Sequence, residues 1–212
     1  MSDPIEADLA VVDAAELVTV TGPAPRVGTG LCEPGIVPGG CVAVRNGLIV
    51  FTGPARDYRT QVRLSRHGVE IDASGRTVLP GFVDPHTHLP FAGTREEEFV
   101  LRLRGETYES IAAAGGGILS TVRATRAAPI EMLVELGKER LDRMLLHGTT
   151  TAEAKSGYGL SLEQELKQLN AIRRLDAIHP IDLVPTFLGA HTIPPEFLDR
   201  RDAYVAEVDS DP

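Results

Sequence analysis

The chain has 212 residues, enough for one large domain or for one domain and part of another. Its 42% hydrophobic and 24% charged residues are the composition of an ordinary soluble globular protein, and no apolar run approaches the ~20 residues that span a bilayer. A net charge of −9, from 21 basic and 30 acidic residues with no dense Lys/Arg stripe, argues against a nucleic-acid or membrane partner.

The acidic start, Met1 to Asp8, lacks the basic and apolar regions of a signal peptide, so a cytoplasmic protein is expected. The two cysteines, Cys32 and Cys41, are too few for a disulfide framework and wrongly spaced for a zinc ribbon; reduced thiols are expected. The first ~70 residues are strand-like and turn-rich. Leu9-Ala10-Val11-Val12 is short and apolar, and Pro and Gly cluster between Gly22 and Gly40. Cys41–Arg45 and Leu48–Phe51 flank Asn46-Gly47, a hairpin signal because both turn positions favour positive φ. Residues 1–73 therefore read as a small antiparallel β module.

The pattern changes near Ser74-Gly75. Thr77 to Val83 is nearly continuous apolar sequence, the mark of a strand covered on both faces. Pro129 to Leu146 places Ile130, Leu133, Val134, Leu141, Met144 and Leu145 at helical spacing, with Gly148 to stop the helix. Thr149–Ala152 is strand-like. Ser161 and Gln164 form a capping box for a helix through Leu162, Leu166, Leu169 and Ile172, which His179-Pro180 closes. Ile181 to Leu188 is a third buried strand. Such alternation implies parallel βαβ units, in an open sheet or in part of an eight-stranded barrel. His86 and His88, the segment Glu153 to Tyr158, and His191 each follow a strand end, the face that carries chemistry in a barrel.

His86 and His88 stand at i and i+2, so on a strand they project to one side. Two neutral imidazoles there suit zinc or ferrous iron; the duller reading is two surface histidines sharing a face. The run Leu79-Pro80-Gly81-Phe82-Val83-Asp84-Pro85-His86-Thr87-His88 closely resembles the opening strand of the amidohydrolase superfamily. That resemblance implies an α/β fold. Residues 74–212 would be the first part of a (β/α)8 TIM-like barrel, preceded by the β module, with both histidines on a catalytic metal.

Further segments narrow the resemblance. Phe91–Phe99, Gly115–Val122 with Ala124-Thr125-Arg126, Glu153–Leu160 and Leu188-Gly189-Ala190-His191 occur in that order. Together they resemble the imidazolonepropionase family over about Val78 to about Tyr204. The resemblance implies hydrolysis of the cyclic amide of 4-imidazolone-5-propanoate to N-formimidoyl-L-glutamate in histidine degradation. It also implies one divalent metal, zinc or iron, and a homodimer when complete.

The family's binding positions fall on Arg95, Tyr158 and His191. Arg95 offers a planar fork for a carboxylate. Tyr158, in a Gly-Tyr-Gly loop, combines a ring face with a hydroxyl. His191 is able to donate to a carbonyl or carboxylate, or to shuttle a proton. Without the family, Arg95 reads as an ion pair among three glutamates, Tyr158 as packing and His191 as a satisfied structural histidine. Arg102, Arg104, Arg123 and Arg126 read as solvated mixed-charge surface among Glu96, Glu97, Glu98, Glu106 and Glu109.

His67 is expected to be exposed, and His147 and His179 to cap helix ends. Lys155 fits the family's loop better than a metal-bridging role, and Gly115–Gly117 lacks the Lys-Ser/Thr of a phosphate loop. A catalytic zinc needs about three protein ligands. The resemblance places the remaining His and Asp ligands and the general acid/base beyond Pro212, so the chain is expected to be a truncated barrel, inactive alone. Alternatives are another amidohydrolase, such as a deaminase, or an inactive fragment.

Overall fold

A computed structural model of the protein describes residues 3–209. The chain divides between Pro80 and Gly81 into two units, each built on its own sheet. The expected boundary lay after Ala73. The first unit runs further because Thr77–Val78 still pairs within its sheet.

The first unit contains β1 (Ile5–Val18), β2 (Ile36–Arg45), β3 (Leu48–Pro54), α1 (Ala55–Gln61), β4 (Val62–Asp72) and β5 (Thr77–Val78). Strand order is β3-β2-β1-β4, with β5 beside the far part of β1. Asn46 and Gly47 take φ of 52° and 77° and set Arg45 opposite Leu48, as their chemistry requires. The sheet is mixed, however, not purely antiparallel: β1 runs parallel to both β4 and β5. The α1 crossover returns the chain to the far side of β1 in the same direction, which a tight hairpin cannot do. Ala7, Ala10, Val12, Cys41, Ala43, Phe51 and Tyr58 form its core. Cys41 is a buried thiol, Cys32 an exposed one, and His67 is exposed.

The second unit contains β6 (Phe82–Thr87), α2 (Glu96–Leu103), α3 (Tyr108–Ala113), α4 (Ile118–Ala127), α5 (Ile130–Leu146), β7 (Thr149–Lys155), α6 (Leu162–Ile178), β8 (Asp182–Thr186) and α7 (Arg201–Asp209). β6, β7 and β8 are adjacent and parallel, with α5 and α6 as crossovers. The apolar run Thr77–Val83 is not one buried strand. It breaks at Leu79–Gly81, and Phe82 and Val83 are 55% and 65% exposed. Pro80 has no N–H for a ladder. Gly81 lies so close to β7 that a Cβ there would stand 2.2 Å from Thr150 Oγ1.

Helix α5 buries Leu133, Val134, Gly137 and Leu141, one stripe at helical spacing. Ile172 and Leu175 of α6 meet it, joined by Ala152, Ala154, Ile181 and Leu183 of the sheet layer. His147 Nδ1 lies 2.9 Å from the Arg143 carbonyl, the expected helix-end cap. His179 differs. It is buried, its Nδ1 accepts from the Ile181 N–H and its Nε2 faces Asp142 of α5, so it ties helix to helix instead of capping carbonyls. Helices α2, α3 and α4 fill the connection after β6, where the sequence reading assigned none; they are short, six to ten residues each. Among the described residues no helix is long and apolar enough to cross a membrane.

Candidate active site

The extended backbone of β6 presents His86 and His88 to one side, with ring centres 6.0 Å apart. Thr87, which points the other way, donates to the Glu153 carbonyl at 2.6 Å and locks the strand end to β7. The backbone N–H of His86 donates to Asp84 Oδ1. His88 Nδ1 stands 2.9 Å from the Ser156 carbonyl oxygen. A carbonyl only accepts, so Nδ1 carries the proton and the Nε2 lone pair is left for another partner. Burial, then the neighbouring His191, hold the His88 imidazole below its ordinary pKa; burial does the same for His191.

The loops after β7 and β8 bring two more rings to this point. Tyr158 lies 4.8 Å and His191 4.9 Å from the His88 ring, and they are 5.8 Å from each other. Gly157 makes this approach possible. Its φ is +107°, and a Cβ would meet His191 Cβ and the Leu188 carbonyl at 3.2 Å. Beyond Tyr158, Phe91 continues the aromatic row at 5.9 Å. Arg95, exposed at the start of α2, opens onto a cleft of about 520 Å³ together with Phe91, Thr121, Arg140, Arg143 and Tyr158. Tyr158 thus borders both the imidazoles and the arginine-lined cleft. Arg140 donates to the Leu89 and Phe91 carbonyls and lies 3.6 Å from the Phe91 ring centre, which steadies the segment after His88.

Lys155, at the end of β7, pairs with Glu153, whose other oxygen accepts from the Thr186 hydroxyl at 2.7 Å. Those two donors hold the Glu153 carboxyl below the usual carboxylate range. Among the described residues no group of three or more His, Cys, Asp or Glu side chains is arranged so that it could hold a metal ion.

Several residues of this region escaped the sequence reading. The Ser161 side chain makes no cap, so the Ser161/Gln164 capping box does not form. Glu165 takes over: its buried carboxylate accepts from the N–H groups of Gly157, Gly159 and Leu160 at 2.7–2.8 Å. Gln168, fully buried, accepts from the Tyr158 N–H and donates to the Pro90 carbonyl. Arg126, read as solvated surface, is half-buried; it donates to the Gly159 and Leu160 carbonyls and pairs with Glu196. One signal was available. Glu165, Gln168, Ile172 and Leu175 share a helical stripe, and two polar residues heading an apolar stripe are informative when buried.

The amidohydrolase family model matches residues 69–137 of the chain. Guanine deaminase from E. coli shares the fold with a TM-score of 0.56 at 18% identity, over 92% of this chain and 39% of its own. A triazine hydrolase variant does so at 0.62 and 15%, over 93% and 41%. An atrazine chlorohydrolase mutant from Arthrobacter aurescens TC1, complexed with zinc and atraton, aligns at 0.50 and 14%, over 84% and 35%. The particular relatives are imidazolonepropionases. Those of Symbiobacterium thermophilum and Chloroflexus aggregans are 58% and 53% identical over 93% of this chain, and that of Geobacillus thermodenitrificans is 52% identical over 91%. The chain spans about half the length of these curated relatives, 46% in each case.

Proposed function

We propose that the whole protein is a metal-dependent imidazolonepropionase, opening the ring of 4-imidazolone-5-propanoate to N-formimidoyl-L-glutamate. The observation that carries the reading is His88 with its Nδ1 committed to Ser156 and its Nε2 free, beside His86 and in ring contact with Tyr158 and His191. Two imidazoles on one ion, with metal–nitrogen bonds of about 2 Å, have ring centres about 5–6 Å apart, so the observed pair fits half of a zinc or iron site. A carbonyl behind a ligating imidazole is the usual way to set tautomer and orientation. The atrazine chlorohydrolase of this fold is complexed with zinc, which supports a metal without choosing between zinc and iron.

When bound, the ion supplies Lewis acidity and a water ionised near neutral pH. The chain's own residues do the rest of the work visible here. His86 and His88 hold the ion. Arg95, exposed on the open cleft, receives the propionate carboxylate through its planar fork. The Tyr158 ring packs on the substrate ring, and His191 donates to its carbonyl or carboxylate. The remaining ligands and the general acid/base belong to the rest of the whole protein, which acts in the cytoplasm as a homodimer.

The test is incubation of the whole purified protein with the propionate-bearing ring and, separately, with guanine. Addition of one water to the first and no ammonia from the second supports the reading; the reverse overturns it. Arg95→Ala is expected to raise KM roughly tenfold or more with a smaller change in kcat, because it removes ground-state binding of the tail. An Arg95→Ala enzyme that keeps its full preference for the propionate-bearing ring removes the tail-binding role.

A further inference from the structure

The loop that carries Tyr158 is held from both sides by opposite charges. On one side Glu165, 1% exposed, accepts from Gly157, Gly159 and Leu160 N–H groups. On the other, Arg126 donates to the Gly159 and Leu160 carbonyls. The peptide between Gly159 and Leu160 is caught at both ends, its N–H on the carboxylate and its carbonyl on the guanidinium. Leu160 has φ of 52°, a left-handed conformation that residues with a Cβ seldom adopt. Gly159 lies against α6 itself: a Cβ there would stand 2.4 Å from the Glu165 amide nitrogen. One turn along the helix, Gln168 holds the Tyr158 N–H and, with its amide N–H, the Pro90 carbonyl two residues after His88.

From this geometry we infer that Glu165, Gln168 and Arg126 are positioning residues, which set the Tyr158 ring against His88 and thereby fix the distance between the imidazole pair and the substrate cleft. None of the three touches the cleft, so each acts through Tyr158. Among the described residues no lysine or arginine pairs with the buried carboxylate; its charge is met by three backbone N–H groups, which are directional and set the loop's path. The inference rests on the proposed function for its catalytic meaning, and on hydrogen bonds alone for its structural one.

A double-mutant cycle in the whole, metal-loaded protein tests it. Glu165→Gln keeps the shape but turns an amide N–H toward a backbone N–H, and is expected to lower kcat/KM on the order of tenfold with metal content unchanged. In a Tyr158→Ala background the same substitution is expected to have little further effect. Equal effects in both backgrounds overturn the inference, because a general loss of packing would act independently of Tyr158. Arg126→Gln, at a half-buried position, provides a second variant with the same two expected results should Glu165→Gln fail to fold. Amide hydrogen exchange separates this inference from the functional reading. If the wild-type protein does not open the ring, the functional reading fails. Faster exchange at Gly157, Gly159 and Leu160 in Glu165→Gln still supports the clamp, and unchanged protection overturns it.

Discussion

At the scale of single residues, buried polar groups set the path of the loops at the candidate site and the stability of the fold at alkaline pH. The Tyr204 hydroxyl donates to the Gly189 carbonyl in the loop before His191. Burial, reinforced by the charge of Glu165, pushes its pKa up to about 12. Burial and the hydrogen bond to Glu70 do the same for Tyr58 in the first unit. An unfolded tyrosine ionises near pH 10. The raised folded values therefore mean that the stabilisation is complete below pH 10 and is lost as pH rises through 10 toward 12. Denaturant midpoints measured across that range should fall steeply in the wild type. Tyr204→Phe should flatten the fall while costing about 1 kcal/mol at neutral pH, one neutral hydrogen bond; a fall as steep as the wild type's would assign the alkaline step elsewhere. Gly159 belongs to the same scale. Gly159→Ala places a methyl against helix backbone, and is expected to cost 2 kcal/mol or more, roughly the upper range for overpacking a rigid site.

At the scale of elements, α6 organises the second unit. One stripe of it packs on α5 and the sheet through Ile172 and Leu175, while Glu165 and Gln168 of the same stripe hold the loops of the site. Its Lys167 reaches sideways and donates to the Thr125, Arg126 and Ala128 carbonyls, closing the C-terminus of α4. Lys167→Met should free those carbonyls and destabilise the protein by about 1–3 kcal/mol, read as a lower denaturant midpoint. The same change should quicken exchange at the end of α4 without touching α5; uniform quickening would mean the lysine matters only for global packing. The periodicity of α5 and α6 was plain in the sequence because long amphipathic helices repeat their pattern over several turns. Helices α2 to α4 were not, since six to ten residues with exposed Phe99, Leu101 and Leu103 repeat too little to stand out. The parallel β4 was missed for a related reason: its two alternating runs, Val62–Ser65 and Val69–Asp72, are four residues each and Arg66-His67-Gly68 interrupts them.

At the scale of the whole molecule, β6 and β8 are both edges of a three-stranded parallel sheet, with Phe82, Val83, Val184 and Phe187 about half exposed or more. Parallel sheets are stable when both faces and edges are covered. The 212-residue chain, prepared by itself, is expected to self-associate, seen as growth in light scattering with concentration. It should also bind zinc far more weakly than the whole protein, having two imidazoles where a catalytic site uses three ligands; calorimetry on both preparations checks this. Tight, equal binding by the short chain would show that His86 and His88 are not part of a larger ligand set.

By itself the sequence determined the parallel α/β character of the second unit, the Asn46-Gly47 hairpin, the two long helices and the placing of His86, His88, Tyr158 and His191 at strand ends. Those are local properties, written in backbone preference and in side-chain period. The tertiary structure alone decided that the rings of His88, Tyr158 and His191 meet, that Ser156 orients His88, and that Glu165 with Arg126 grips the loop between them. Each of those contacts joins residues from different elements. The place of Glu165 on an apolar helical stripe hints at burial, but only the fold shows that its carboxylate meets three backbone N–H groups.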